Sequence, residues 1–539
     1  MKKLPESISQ EIDLLKQNTL EKFRLPAGSL DDVFSLFMQS QAEVLRLREE
    51  LTLMRMHLFG RRSEKQATNE DDPQMRMFDE AEHAVATATD EEQQADAEQE
   101  SVLPVVVAAA ADQPKAPAAR GKRKPLPAEL PRVEIVHTLP EHAQRCECGC
   151  QKHVIGEETS EQLEIIPQRV QVIRHIRKVY GCKACETAPK TAAKPAQIIE
   201  KSMATPSVLS MLLTTKFVDG IPLHRFERVM QRHGLKIPRQ TLARWVIESS
   251  KQLQPLYNLM QDQLLQSPYI HCDETRVQVL KEPDRSPESQ SWMWVMRSGR
   301  PERPILLYEY SSTRNQSVPL RLLEGYQGYL MTDDYVGYNA IAKQSGIERL
   351  GCWAHARRKF VDAQKVQPKG KTGRADVALN LIGQLYGVEK HHKSASIEER
   401  YHARQEHSLP ILHKLKTWLD ETLLHATAKN KLGVALGYLA SNWSKLVRYT
   451  EAGYLPIDNN PVEGDIRHFA VGRKNWLFSD TPAGAHSSAI IYSLMQTAMA
   501  NGKEPYAWMR YVMEQLPTCE SAEQIEQLLP WNCEPPIYR

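Results

Sequence analysis

Three carboxylates set far apart in the chain have the residue types and surroundings for metal-assisted chemistry. Asp273 lies in the middle of Tyr269–Leu280 (YIHCDETRVQVL), which alternates like a strand. Asp333, followed by Asp334, closes the short apolar stretch that begins at Gly328. Glu463 lies in Ile457–Phe478 (IDNNPVEGDIRHFAVGRKNWLF), a loop running into a helix. Phosphodiester cleavage at neutral pH needs a nucleophile made from water or a 3′-hydroxyl, and stabilisation of the leaving oxygen. Two Mg²⁺ (or Mn²⁺) ions about 3.5–4 Å apart meet both needs, and such hard ions take carboxylate oxygens. Asp273 is then expected to bridge the ions, with Asp333 and Glu463 each holding one. A competing reading makes Glu463 part of a capping box. Asn460 would be the cap, Pro461 the first helical residue, and Glu463 would close the first turn.

Positioning these residues requires a sheet and a late helix. Ser291–Arg297 (SWMWVMR) and Pro304–Tyr310 (PILLYEY) read as two further strands, and Ser317–Leu323 as a helix. Three successive strands, a helix, a fourth strand and a late acidic helix resemble the order of a ribonuclease-H-like core. The motifs are more specific. HCDET, TDDYVGY, GCWAHARRKF (Gly351–Phe360) and DNNPVEGDIR followed by GRKNWLF closely resemble the insertion sequence 66 family of DDE transposases. The resemblance runs from the N-terminal helix to the last residues.

It implies a DNA transposase that binds the ends of its own element, cleaves DNA and joins the freed 3′-hydroxyl to target DNA. It places the second catalytic aspartate at Asp333, where Asp334 replaces a family glycine and adds a carboxylate beside the site. In this setting His355 is expected near the scissile phosphate. Arg357, Arg358 and Lys359 would clamp flanking phosphates, and Arg467, Arg473 and Lys474 would grip substrate downstream of Glu463. Cys352 is expected to pack with Trp353, with metal binding by Cys352 and His355 as the alternative reading.

Upstream, Val33, Phe37, Val44, Leu47, Leu51, Met54 and Leu58 follow a three–four spacing broken only at Ser40, a heptad seam of about four repeats suited to self-association. The following segment is acidic and rich in Gln and Ala, which predicts a disordered linker. Asn69–Glu100 carries twelve acidic residues against one arginine, so the formal net charge of +2 conceals a basic remainder suited to nucleic acid. Arg120–Pro125 (RGKRKP) restores positive charge.

The nine cysteines include a cluster, Cys146, Cys148 and Cys150 with Cys182 and Cys185, pointing to reduced thiols and metal rather than disulfides. A structural Zn²⁺ held by four cysteines fits, with Cys182 and Cys185 as one pair and two of Cys146, Cys148 and Cys150 as the other. Val170–Tyr180 is expected to supply a strand of the intervening hairpin. Leu209–Val218, Leu223–Gln231 and Arg239–Ser250 read as helices with a turn at His233–Lys236, the spacing of a helix-turn-helix. That puts Arg239, Gln240 and Arg244 on the entering helix, towards double-stranded DNA.

The expected fold is therefore multidomain α+β. It comprises an N-terminal coiled-coil helix (1–66), a linker (67–118), a zinc module (119–195) and a helix-turn-helix region (196–255). A ribonuclease-H-like α/β core (256–368 and 456–492) is split by a helical insertion (369–455), and a helical segment (493–539) follows. No secretory signal or spanning segment is expected, which suits a cytoplasmic, nucleoid-associated bacterial protein. A homo-oligomer and small accessory proteins are the expected partners. Two other functions share these features: a zinc-dependent DNA-binding regulator with an inactive core, and a nuclease that cuts without joining.

Overall fold

The computed structural model describes residues 31–59, 170–180, 190–191, 196–343, 346–367 and 373–536. The five clustered cysteines, the acidic linker and the basic run at 120–125 lie outside the described residues. The chain divides into two units, one of residues 1–90 and 194–539, the other of 91–193. In the smaller unit, β1 (Val179–Tyr180) pairs antiparallel with β2 (Lys190–Thr191). The strand expected over Val170–Tyr180 is thus reduced to its last two residues. Val172 and Ile176 ahead of it are exposed, and no described strand lies beside them to satisfy their backbone.

Among the described residues, the first element of the larger unit is α1 (Asp31–Phe59), along which Val44, Leu47, Leu51 and Met54 are exposed at the three–four spacing of the seam. Three helices follow: α2 (Pro206–Phe217), α3 (Leu223–Arg232) and α4 (Arg239–Leu265). Gly234, at φ +79°, makes the turn between α3 and α4, a conformation glycine adopts without a Cβ clash. The expected boundary at 255/256 falls inside α4. Pro255 costs that helix a backbone hydrogen bond, but Leu253, Leu256, Tyr257 and Met260 stay buried around it and hold the helix together.

A five-stranded sheet forms the centre, in the order β5–β4–β3–β6–β7. Its strands are β3 (Tyr269–Gln278), β4 (Gln290–Ser298), β5 (Leu306–Ser311), β6 (Gly328–Thr332) and β7 (Ile347–Gly351). The first three form an antiparallel meander, while β6 and β7 join parallel to β3. The short α5 (Ser317–Leu322) makes the crossover from β5 to β6. Being central, β3 is buried on both faces from Ile270 to Thr275, so its alternating sequence does not mark one wet and one dry face.

After β7 come α6 (Trp353–Lys365) and the helices of the insertion: α7 (Arg374–His391), α8 (Ile397–Ala403), α9 (Leu409–Leu424) and α10 (Lys431–Val447). Of these, α7, α9 and α10 close a hydrophobic core with α6, in which Trp418 packs edge-on against Phe360 and Trp443 against Trp353. The insertion tryptophans therefore serve packing. Then α11 (Asn460–Trp476) crosses β3 and β4, and α12 (Pro482–Ala500) packs on β5 and α4. The expected boundary at 492/493 lies within α12, whose residues Ile491 to Ala498 are buried without interruption. Finally α13 (Pro505–Gln515) packs on α2, and α14 (Ala522–Glu526) lies against α4. No described helix is long and apolar enough to cross a membrane.

Candidate active site

Two strands and one helix bring the three carboxylates into a common environment. The parallel β3–β6 ladder pairs His271 with Met331, and the same offset carried two residues further sets Asp273 beside Asp333. Glu463 arrives on the first turn of α11, which packs against β3. Asp273 and Glu463 are buried, and Asp333 is half-buried. Burial, then the charges of Glu274, Asp333 and Glu463, push the Asp273 carboxyl well above the usual carboxylate range. Its Oδ1 accepts the Glu274 amide at 2.8 Å. Its Oδ2 is buried with no hydrogen-bond partner among the described residues. A surplus of buried negative charge with an orphaned carboxylate oxygen fits a bound cation.

The loop after β6 is held from both sides. Asp333 Oδ1 accepts the Tyr335 amide at 2.9 Å, an Asx-type turn. Arg349 from β7 donates to Thr332 Oγ1 at 2.9 Å and to the Asp333 carbonyl at 2.7 Å. Burial raises the Asp333 carboxyl, opposed by the Tyr335 amide and the charges of Arg314 and Arg349. The neighbouring Asp334 turns towards Lys445 of α10, 3.4 Å away, with 39 % of its side chain exposed. The additional carboxylate is therefore taken up by the insertion.

The helix start differs from the expected capping box. The cap is Asn459, Asn460 is the first helical residue, and Pro461 follows it. Asn459 is fully buried and makes no side-chain cap bond. Instead its Oδ1 meets His271 Nδ1 at 2.9 Å and its Nδ2 donates to the Cys272 carbonyl at 3.2 Å, fastening α11 to β3 one residue before Asp273. Glu463 faces His355 Nδ1 at 3.6 Å and Arg358 Nη2 at 3.9 Å. Two residues on, Asp465 receives both bonds of its pair from Arg297 Nη1 of β4, at 2.8 and 2.9 Å.

The basic residues divide by position. Arg239, Gln240 and Arg244 are exposed on the first turns of α4, although Arg239 also lies 3.6 Å from Glu227 of α3. On α6, Arg357 is exposed, Arg358 faces Glu463, and Lys359 sits over the Tyr438 ring. On α11, Arg467 is half-buried and Lys474 exposed. Arg473 donates to Thr275 Oγ1 at 3.2 Å and to the Arg276 carbonyl, so it ties α11 to β3 rather than pointing freely at substrate.

Sequence reasoning missed Glu274. On a half-buried strand it would face solvent, opposite Asp273. On the central strand it is buried, paired to Arg314 at 2.5 Å and accepting the Tyr338 hydroxyl at 2.7 Å. Burial and the Asp333 charge push it up to about 7, against Arg314 and Tyr338. The adjacent acid in HCDET was the available signal. Asn459 was in view within DNNP, but its role depends on contacts almost two hundred residues away in sequence.

Comparison with known proteins decides the family. The model described as "Transposase IS66 family" matches residues 201–487, the stretch that holds all three carboxylates. The chain belongs to the IS66 transposase family. Further family models match other parts of the chain: "Transposase C of IS166 homeodomain" at 46–135, "zinc-finger binding domain of transposase IS66" at 143–186 and "IS66 C-terminal element" at 493–531. The zinc-finger match spans all five clustered cysteines and supports a structural zinc site.

Similar proteins come from Sinorhizobium fredii (strain NBRC 101917 / NGR234). The uncharacterized protein y4jD is 30% identical over 91% of this chain and 94% of its own length. The uncharacterized protein y4qI is 30% identical over 79% of this chain and 80% of its own. The uncharacterized protein y4hP is 27% identical over 91% and 89%. No solved structure matches.

Proposed function

We propose that this transposase binds the ends of its insertion sequence and carries out Mg²⁺-dependent cleavage and strand transfer with Asp273, Asp333 and Glu463. The observation that carries the reading is the buried Asp273 carboxylate, raised by burial and then by the charges of Glu274, Asp333 and Glu463, and left with an orphaned Oδ2. Strand order supports a ribonuclease-H-like core. Renumbered from β3, the sheet reads 3-2-1-4-5, with the first three strands antiparallel and the last two parallel. Asp273 stands on the first strand of that order, Asp333 just past the fourth, and Glu463 on the helix after the insertion.

In this reading Asp273, Asp333 and Glu463 would hold two divalent cations, whose chemistry when bound would be to make a nucleophile available at neutral pH and to neutralise charge on the leaving oxygen. The chain's own part is placement. The Asn459 strap and the Arg297–Asp465 pair fix α11 on the sheet, and Arg349 fixes the loop bearing Asp333. His355 and Arg358 border Glu463, where they would orient and neutralise a scissile phosphate. Arg239, Gln240 and Arg244 would read the element end, aided by a Cys₄ zinc module in which Cys182 and Cys185 face two of Cys146, Cys148 and Cys150. The exposed seam of α1 would pair copies of the chain. We propose the segment limits given above as the working division, with the core's helices α4 and α12 shared across two of them.

The test incubates the full chain with a labelled duplex carrying the element's end, a target plasmid and Mg²⁺. Joined products support transposition. Cut ends that never join indicate a nuclease, and binding without cutting under Mg²⁺ and Mn²⁺ indicates a regulator or a missing accessory protein.

A further inference from the structure

Next to the carboxylates lies a second set of donors of different chemistry. Cys352, His355 and Glu463 each present one ligand atom, and these atoms all lie within 4.8 Å of one another. Bonds of about 2.0–2.3 Å to a tetrahedral zinc ion place ligand atoms about 3.3–3.8 Å apart. His355 Nδ1 and Glu463 Oε1, at 3.6 Å, already have that spacing. The remaining contraction, about 1.5 Å at most, is within reach of side-chain rotation.

The backbone explains why the donors converge. Cys352 caps α6 and His355 is its third helical residue, so both occupy one helical turn. Glu463 lies in the first turn of α11. The two helix starts are stitched together: the Trp353 amide donates to the Ile457 carbonyl at 3.2 Å, and the Asn459 amide donates to Cys352 Sγ at 3.3 Å. Both helix N-termini point to where the Cys352 thiol and the Glu463 carboxylate meet, and would favour the negative charge of a metal-bound thiolate. An amide aimed at sulfur is also the outer-sphere support that metal-bound thiolates use.

His355 Nδ1 is buried and has no hydrogen-bond partner among the described residues. A packed Cys–Trp pair and a phosphate-facing histidine, expected from sequence, leave this nitrogen unexplained.

We propose that Cys352, His355 and Glu463 form a site for a thiophilic divalent cation of the zinc class, distinct from the cysteine module, whose occupancy withdraws Glu463 from the Mg²⁺-binding carboxylates. Binding releases the thiol proton to solvent and leaves a fourth position open to water, since only three protein ligands are present. Zinc then acts as a brake on cleavage at concentrations that fill this site. The braking consequence rests on the catalytic reading of Glu463; the metal site itself does not.

The experiment is equilibrium dialysis of the full-length protein against buffered zinc, with metal counted by mass spectrometry. The wild type should hold one more zinc ion per chain than either Cys352→Ser or His355→Ala, both checked for folding by circular dichroism. Equal counts in all three overturn the proposal. In the cleavage assay, half-inhibition of the wild type by zinc should need at least about 10-fold less metal than half-inhibition of Cys352→Ser, since losing a direct ligand costs no less than losing an outer-shell partner. If Glu463→Gln cleaves like the wild type, the catalytic reading fails while the zinc counts still decide the site.

Discussion

Replacing Asn459 by alanine should loosen the attachment of the Glu463 helix without unfolding the protein. The substitution removes the 2.9 Å contact with His271 and the 3.2 Å bond to the Cys272 carbonyl, both at a fully buried residue. Each neutral hydrogen bond contributes about 1 kcal/mol, and leaving buried partners unsatisfied adds at least about 1 kcal/mol more. The expected cost is about 2–4 kcal/mol, felt where α11 meets β3. Hydrogen exchange read by mass spectrometry suits a chain of several domains, because it reports local opening directly. Peptides covering 457–466 and 269–276 should exchange roughly 30- to 700-fold faster, the factor that this energy implies. The insertion helices, held in a separate core, should keep their protection. Cleavage should fall while end binding, assigned to residues on α4, persists. Unchanged exchange at both peptides would refute the strap, and equal loss over the whole sheet would show that Asn459 acts on global stability.

Other perturbations follow from the same contacts. Asp334→Gly should keep cleavage and shift stability by no more than about 0.5 kcal/mol, because the Asp334–Lys445 pair is half-exposed; chemical denaturation and the cleavage assay check this. Arg297→Ala should destabilise by about 3–5 kcal/mol, since it strands the largely buried Asp465, and exchange in β4 and α11 would report it. Lys216, partly buried against the Phe217 and Trp476 rings, is lowered by burial to about 8 from 10.5. Its proton is bound more tightly in the unfolded chain, so stability should fall as pH drops from about 10.5 to about 8 and stay level below. Lys216→Met should then stabilise the protein by up to about 3 kcal/mol at neutral pH, with the gain vanishing above about pH 10.5 in pH-dependent thermal melts.

Much of the architecture was legible because periodicity and motif agreed. The β4 stretch around SWMWVMR and the β6 stretch ending before Asp333 begin and end within a residue or two of their expected limits. The three helices from Pro206 to Leu265 also appear where expected, with α4 extended because buried residues outweigh its proline. What the sequence concealed depends on tertiary position. Alternation in HCDET suggests a wet face, but a central strand has none, so Glu274 was overlooked. DNNPVE reads locally as a capping box, yet Asn459 is engaged by β3 and the cap shifts by one residue. Arg473 looks like a free basic residue on a helix face, and only the packing of α11 on β3 turns it inwards to Thr275. Asp334 is claimed by a lysine more than a hundred residues later, a pairing no local pattern encodes.

A metal-binding catalytic carboxylate at Glu463 needs its charge for cleavage, whereas a helix cap does not. The direct measurement compares the wild type with Glu463→Gln on a labelled duplex carrying the element's end, in Mg²⁺, with binding measured in parallel. The amide keeps the shape of the side chain and removes its charge. Cleavage by the wild type, its loss in the variant and equal binding by both are the predicted result. Equal cleavage by both proteins would contradict the account and return Glu463 to a purely structural role.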